Sequence, residues 1–350
     1  MSEQVKLADK ADQTFASLGL GLDEFMAAEK PLPPKEVSRR PRWLVPTLLL
    51  VATLISMTWA GIVAWSPVYV ITEAYNNQSL FDVRRHILAN WMSGLLFSVS
   101  LTIILGAHEL GHYFATRIYK IQSSLPLFIP FPISPTGTCG AVILMDAFRA
   151  DRKQIFDIGL AGPLAGLVFA IPIAALGIMY GEPPQTRGPS IQFHQPMAIH
   201  FLTQILPTAT NAELEAMPKG AALLKNDSIS NESMNPLLMA AWVGFLVTGL
   251  NMIPVSQLDG GHVIFGLLGP QSRPIALMTY FGCCVYVIYS SYTYGQPMFI
   301  LMLLLIPLIG ISHPPSRNDN VSLGLTRQVI GILSLAIPFF CIPMSPVISM

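Results

Sequence analysis

Charge is what this chain has least of. Of its 350 residues, 11% are Asp, Glu, Lys or Arg and 52% are hydrophobic, with a mean hydropathy of +0.53. A soluble domain carries about a quarter charged residues. The shortage excludes an ordinary water-soluble globule and places most of the chain in lipid. The 20 basic residues balance the 20 acidic ones, so no basic excess invites nucleic acid as a partner. Cysteine is equally scarce. Cys139, Cys283, Cys284 and Cys341 show no CxxC spacing, which excludes a disulfide framework and a cysteine–zinc site. No internal repeat is present. The N-terminus lacks the apolar core of a cleavable signal peptide, and its acidic residues argue against a transit peptide. A bacterial cytoplasmic membrane is therefore the expected location.

Long apolar runs are what the chain does have. They lie at 43–66, 87–117, 156–180, 236–258, 274–294, 297–312 and 327–349, each a candidate span. The last is interrupted by Pro338, Pro343 and Pro346. The piece "GGHVIFGLLG" is too short to cross and reads as a half-helix. The expected fold is an all-α multi-pass membrane protein of about 6–8 spans with a small hairpin. Its parts are an N-terminal cytosolic extension (1–42), a first span with an outside loop (43–84), and a core with C-terminal spans (85–350).

Basic residues set the orientation. "KEVSRRPR" places the N-terminus inside. Arg117, Lys120, Arg149, Arg152 and Lys153 also fall inside, and the polar segment 181–235 falls outside. The second and fourth spans then both run inward. Residues 108–112 and Asp259, about 150 positions apart, reach the same depth.

Between them, residues 121–145 are apolar but rich in proline, serine and glycine. No helix persists through that pattern. An extended hairpin turning near "SPTGT" is expected, buried in protein or lining a wet cavity.

The second span ends in "LGAHELGHYF". Ionisable side chains at membrane depth are costly and mark function. Positions i and i+4 of a helix share a face, so His108 and His112 can offer nitrogens to one zinc ion. Glu109 lies where it can hold and deprotonate a water activated by the metal. Gly106 and Gly111 are expected to leave room for another backbone. A third ligand is still needed. Asp259 has the right depth, with helix capping as its bland alternative and His262 as a rival ligand. His313 reads as a loop residue.

These residues resemble the site-2 protease family of intramembrane zinc metalloproteases, in the plant and bacterial branch without a PDZ domain. Two motifs carry the likeness: H-E-x-x-H at His108–His112, and N-x-x-P-x-x-x-x-D-G at Asn251, Pro254, Asp259 and Gly260. "GTCGAVILM", "AGPLAG" and "HPPSRND" are similar to further family segments. Met252 stands where most relatives have proline. The resemblance implies one Zn²⁺ per chain held by His108, His112 and Asp259, Glu109 as general base, and Asn251 orienting the substrate or its oxyanion. It also implies a substrate strand received at Gly137, Thr138, Gly140, Ala141 and Val142. The partners implied are a transmembrane protein substrate and the lipid bilayer; the oligomeric state stays open. Two competitors remain. One is a prenyl-protein-type membrane zinc protease, which needs a downstream glutamate ligand that none of the later spans contains. The other is a non-catalytic scaffold or transporter.

Overall fold

The computed structural model describes residues 43–145, 149–180, 182–185, 191–206, 228–230, 234–294, 300–311, 313–314, 316–343 and 348–349. The extension 1–42 and most of segment 181–235 lie beyond the described residues.

Helix α1 (Leu44–Ile62) is the first apolar run. It ends four residues sooner than the hydropathy suggests. Ala64 and Trp65 take left-handed backbone angles, and Pro67 then opens the short α2 (Pro67–Asn76). Helix α3 (Phe81–Ile118) has 38 residues. At about 1.5 Å per residue it is far longer than the roughly 30 Å bilayer core, and its charged start, "FDVRRH", takes up about 9 Å of the excess. Helices α1 and α3 cross closely at Gly61 and Gly94. Asn90 Nδ2 donates to Ile62 O at 2.9 Å and Ser98 Oγ to Leu54 O at 3.1 Å.

The proline-rich segment forms the expected hairpin. Strand β1 (Leu127–Pro130) pairs antiparallel with β2 (Thr138–Val142), with Phe128 opposite Ala141 and a register shift before Pro130. The turn between them contains "SPTG". Its last residue, Gly137, has φ +73°, and a Cβ there would sit 2.6 Å from Met57 Cα. Ser56 Oγ donates to Gly137 O at 2.5 Å. The hairpin tip is thus docked on α1.

Helix α4 (Arg152–Tyr180) packs against α3 and against α6 (Pro236–Asn251). Asn235 caps α6, accepting from Leu238 N at 2.9 Å while donating to Gly177 O. Pro236 at the first position fits a helix start. Twelve of the 16 residues of α6 are buried, so it is the centre of the bundle. It stops at Asn251 rather than running to 258. Pro254 disfavours helix in the residue before it, and 252–258 form successive turns, with Ser256 N donating to Ile311 O at 2.8 Å.

Asp259 then opens α7 (Asp259–Leu268), which bends through a 3₁₀ turn (Gly269–Ser272) into α8 (Arg273–Tyr294). Arg152 holds the end of α7, donating from Nε to Gly266 O at 2.8 Å and from Nη2 to Leu267 O at 2.7 Å. Helix α9 (Ile300–Ile309) follows. The expected last span is broken into α10 (Leu325–Ser334) and α11 (Ile337–Cys341), with Pro338 opening the second piece. Arg327 pairs through both Nε and Nη2 with Asp157, at 2.8 and 3.1 Å, and fixes α10 to α4.

Strand β3 (Ile191–His194) is flanked by β4 (Ser228–Ser230) and β5 (Ile348–Ser349), with the short α5 (Met197–Ile205) following β3. The chain end is therefore a sheet edge and not part of a span.

Among the described residues, four helices are long and apolar enough to cross a membrane: 44–62, 81–118, 152–180 and 259–293. The protein is a mostly helical integral membrane protein with a small two-stranded sheet beside its core.

Candidate metal centre

The last turns of α3 bring His108, Glu109 and His112 into the bundle. His108 and Glu109 are buried. Both histidines turn Nε2 toward the start of α7. His108 Nε2 lies 3.2 Å from His112 Nε2 and 3.2 Å from Asp259 Oδ2, and His112 Nε2 lies 3.3 Å from Asp259 Oδ1.

The polarity of the group says what it lacks. His112 Nδ1 is 2.8 Å from Ile158 O. A carbonyl only accepts, so Nδ1 carries the hydrogen and Nε2 of the neutral ring is a bare lone pair. Asp259 Oδ2 is buried and close to His108, yet receives no aligned hydrogen bond. Acceptor atoms pointed at one another repel unless a cation sits among them. Ligands at zinc–nitrogen and zinc–oxygen distances of 2.0–2.2 Å in a tetrahedron are about 3.3 Å apart, which is the spacing found. The three residues fit a zinc ion, and they form the candidate metal group among the described residues.

Packing enforces the arrangement. A Cβ on Gly162 of α4 would overlap the His112 ring, and one on Gly166 would come within 3.3 Å of His108 Cβ. A Cβ on Gly111 would lie 2.5 Å from Ala161 O, so Gly111 does admit a second backbone, as expected. Gly106 does not: nothing lies within 4 Å of its Cβ position. It faces an apolar cavity of about 760 Å³ lined by α1, α3, α4 and the hairpin, among them Leu50, Leu110, Phe114 and Phe128. The expectation for Gly106 fails because no backbone approaches it across that cavity.

The metal group opens on a second cavity of about 220 Å³. Glu109, Thr116, Asn251, Gln257 and His262 also line it, as do Ala141, Val142 and Ile143 from the hairpin. Asn251 Nδ2 is 3.4 Å from His108 Nε2. Of the five expected strand residues, Ala141 and Val142 reach this cavity. Gly137 sits on α1, and Thr138 Oγ1 bonds to Ile129 O and Gly140 O inside the hairpin. Gly140 bends β2 with φ +99°. His262 is not in the metal group. Its Nδ1 is 2.7 Å from His313 Nε2, and His313, read as a loop residue, is therefore an inner neighbour of the site. Sequence reasoning missed His313, Thr116 and Gln257, along with Gly162 and Ile158 O. The glycine spacing of "AGPLAG" was the one available signal.

A zinc-fitting H-E-x-x-H helix, completed by a carboxylate from a second helix inside a bundle of apolar helices, defines the class of membrane-embedded metallopeptidase sites. The sequence profile of peptidase family M50 matches residues 96–289, and the chain belongs to that family. It is similar to the probable zinc metalloprotease EGY1, chloroplastic, of Arabidopsis thaliana, with 31% identity over 243 residues, covering 69% of this chain and 41% of the relative. The rice (Oryza sativa subsp. japonica) protein of the same name is 30% identical over 231 residues, covering 65% and 37%. The probable zinc metalloprotease EGY2, chloroplastic, of Arabidopsis thaliana is 30% identical over 258 residues, covering 70% and 42%. The chain thus spans about two fifths of the length of these curated relatives. No solved structure matches it.

Proposed function

We propose that the chain is an intramembrane zinc endopeptidase that hydrolyses peptide bonds within or next to transmembrane helices of membrane-tethered proteins. The observation that carries this reading is the convergence of His108, His112 and Asp259 beside a buried Glu109, on a cavity that the edge of a β-strand also lines. His108, His112 and Asp259 hold the metal. Zinc, when bound, supplies Lewis acidity that acidifies water and polarises a carbonyl.

The remaining steps belong to the chain. Glu109 takes the proton of the attacking water and returns it to the leaving amine. The Asn251 amide donates to the oxygen on which negative charge develops. A helix hides its carbonyls in its own hydrogen bonds, so the substrate must be locally unwound. Strand β2 pairs with β1 on one side, and Ala141 and Val142 offer backbone groups to such an extended segment, as in strand addition. Asp259 in the third-ligand position, where a prenyl-type protease needs a glutamate, disfavours that competitor. The intact Glu109 disfavours a scaffold.

The charge pattern supports a cytosolic N-terminus and a site toward the cytosolic half of the membrane. That bookkeeping is the same for a bacterial cytoplasmic membrane, our reading of the compartment, and for a chloroplast membrane of the kind in the relatives' names.

The test uses a single-span substrate rich in leucine and alanine, with a Gly-Pro pair in its cytosolic third, in liposomes. The zinc-loaded wild type should cleave it. Glu109→Gln should keep zinc and lose at least about 10²–10⁴-fold in rate, the range of general acid–base contributions. Near-normal cleavage by zinc-loaded Glu109→Gln would sink the mechanism. Absence of both zinc and cleavage in the wild type would favour the scaffold or transporter.

A further inference from the structure

The polar chain behind the metal group has a direction. His313 Nδ1 is 2.5 Å from Pro314 O. A carbonyl accepts, so this nitrogen carries the hydrogen. Burial pushes the His313 imidazole below its usual pKa, and the ring is neutral near pH 7, with a bare Nε2. His262 Nδ1, 2.7 Å away, must then be the donor. That leaves the other nitrogen of His262, Nε2, without a hydrogen. Both rings are held in place: His313 stacks on Phe265 with centroids 4.2 Å apart and meets His262 edge-on at 4.9 Å.

His262 lines the same cavity as Ala141, Val142 and Ile143. In a β-strand the N–H and C=O of one residue face one edge, and those of the next residue face the other. A substrate strand paired with β2 turns every second N–H away from the hairpin. In a small, largely apolar cavity each such group needs an acceptor. Asn251, Gln257 and Thr116, the other polar side chains there outside Glu109 and the metal group, all carry hydrogens as well as lone pairs. His262 Nε2 is an acceptor alone.

On the proteolytic reading above, we propose that His262 is a substrate-binding residue that takes a hydrogen bond from a backbone N–H of the unwound strand, and that His313 is the positioning residue that fixes its polarity. The ligand class is an extended peptide backbone, so the contact is indifferent to side-chain sequence. It also gives His313 a task at a site whose motifs lie elsewhere.

Two measurements on the full-length, zinc-loaded protein test this. The first is the ¹⁵N spectrum of histidine-labelled protein, with His262 assigned by its loss in His262→Gln. Wild type should show His262 protonated at Nδ1, and His313→Phe should move the proton to Nε2. The second is affinity for the single-span substrate, measured in a Glu109→Gln background so that binding is read without turnover. His262→Phe should weaken binding about tenfold, as for a lost hydrogen bond. His262→Gln, whose Oε1 can accept, should recover most of that, and His313→Phe, which leaves a hydrogen on His262 Nε2, should fall as far as His262→Phe.

Zinc content should match wild type in every variant. A wild-type His262 protonated at Nε2 would overturn the proposal, as would unchanged affinity in folded, zinc-loaded His262→Phe, or loss of zinc from it. A wild type that binds zinc but cleaves nothing would defeat the proteolytic reading, while the tautomer and the affinity would still decide the role of His262.

Discussion

The two faces of α3 at the level of the motif obey different rules. One face carries His108 and His112 at a spacing of four, and each ring is held against α4 or α7 with little room to shift. The other carries Gly106, Ala107, Leu110 and Phe114 along an apolar cavity, where a methyl added at Gly106 meets nothing. The polar face depends on positions fixed to fractions of an ångström. The apolar face depends on bulk hydrophobicity alone. Substitutions on or against the two faces should therefore differ in size and in kind.

The largest effect is expected from the ligands. His108→Ala, His112→Ala or Asp259→Ala removes one of three protein donors, and each should abolish stoichiometric zinc and, with it, proteolysis. Metal analysis of the purified variants checks this. Full zinc in Asp259→Ala would break the polar face's claim to be one unit. A chelator applied to wild type should reproduce the loss and lower the thermal midpoint, since binding to the folded state alone stabilises it.

Next comes Gly162→Ala, which touches no metal. Its Cβ would overlap the His112 ring, tilting the imidazole away from Ile158 O. Disturbing such outer partners typically costs about 10–100-fold in metal affinity, and competition with a zinc indicator should show a loss in that range. Unchanged affinity would mean that α4 yields more easily than its packing suggests.

Gly111→Ala should act on stability more than on zinc. The added methyl meets the Ala161 backbone at the α3–α4 crossing, and overpacking of this kind costs about 1–3 kcal/mol. Unfolding in detergent would register it as a lower midpoint. Gly106→Ala is the smallest change. It adds a methyl to open space and removes a helix-weakening glycine, so stability should hold or rise by up to about 1 kcal/mol. A clear loss there would erase the contrast between the faces.

Much of this was readable beforehand where the information is local. The i, i+4 spacing places two histidines on one face of any helix. Proline and glycine in 121–145 forbid a helix and leave a hairpin. The flanking charges predict one depth for residues 108–112 and Asp259, and in the structure these residues do meet. What stayed hidden depends on the packing of distant segments. That Ile158 O would orient His112, 46 residues away, or that His313 would reach His262 across 51, follows from the packing of α4 on α3 and of the stretch after α9 on α7. Helix limits failed for a different reason: hydropathy continues through 252–258, but Pro254 and the hydrogen bond from Ser256 to Ile311 unwind that stretch.

The docking of the hairpin tip has a thermodynamic meaning. Ser56 and the crowded backbone at Gly137 tie the turn to α1, while β2 leads on to the cavity beside Glu109. The order that a strand edge must have before another chain can pair with it is therefore established when the protein folds. On the strand-pairing proposal, an arriving segment would give up its own freedom without also having to organise its template, and association with a prepared edge would be correspondingly less costly. On this view the first helix, outside the family match and far from any motif, contributes to affinity through entropy. Loosening the Ser56 contact would weaken capture of unwound peptide while leaving the chemistry of cleavage as it was.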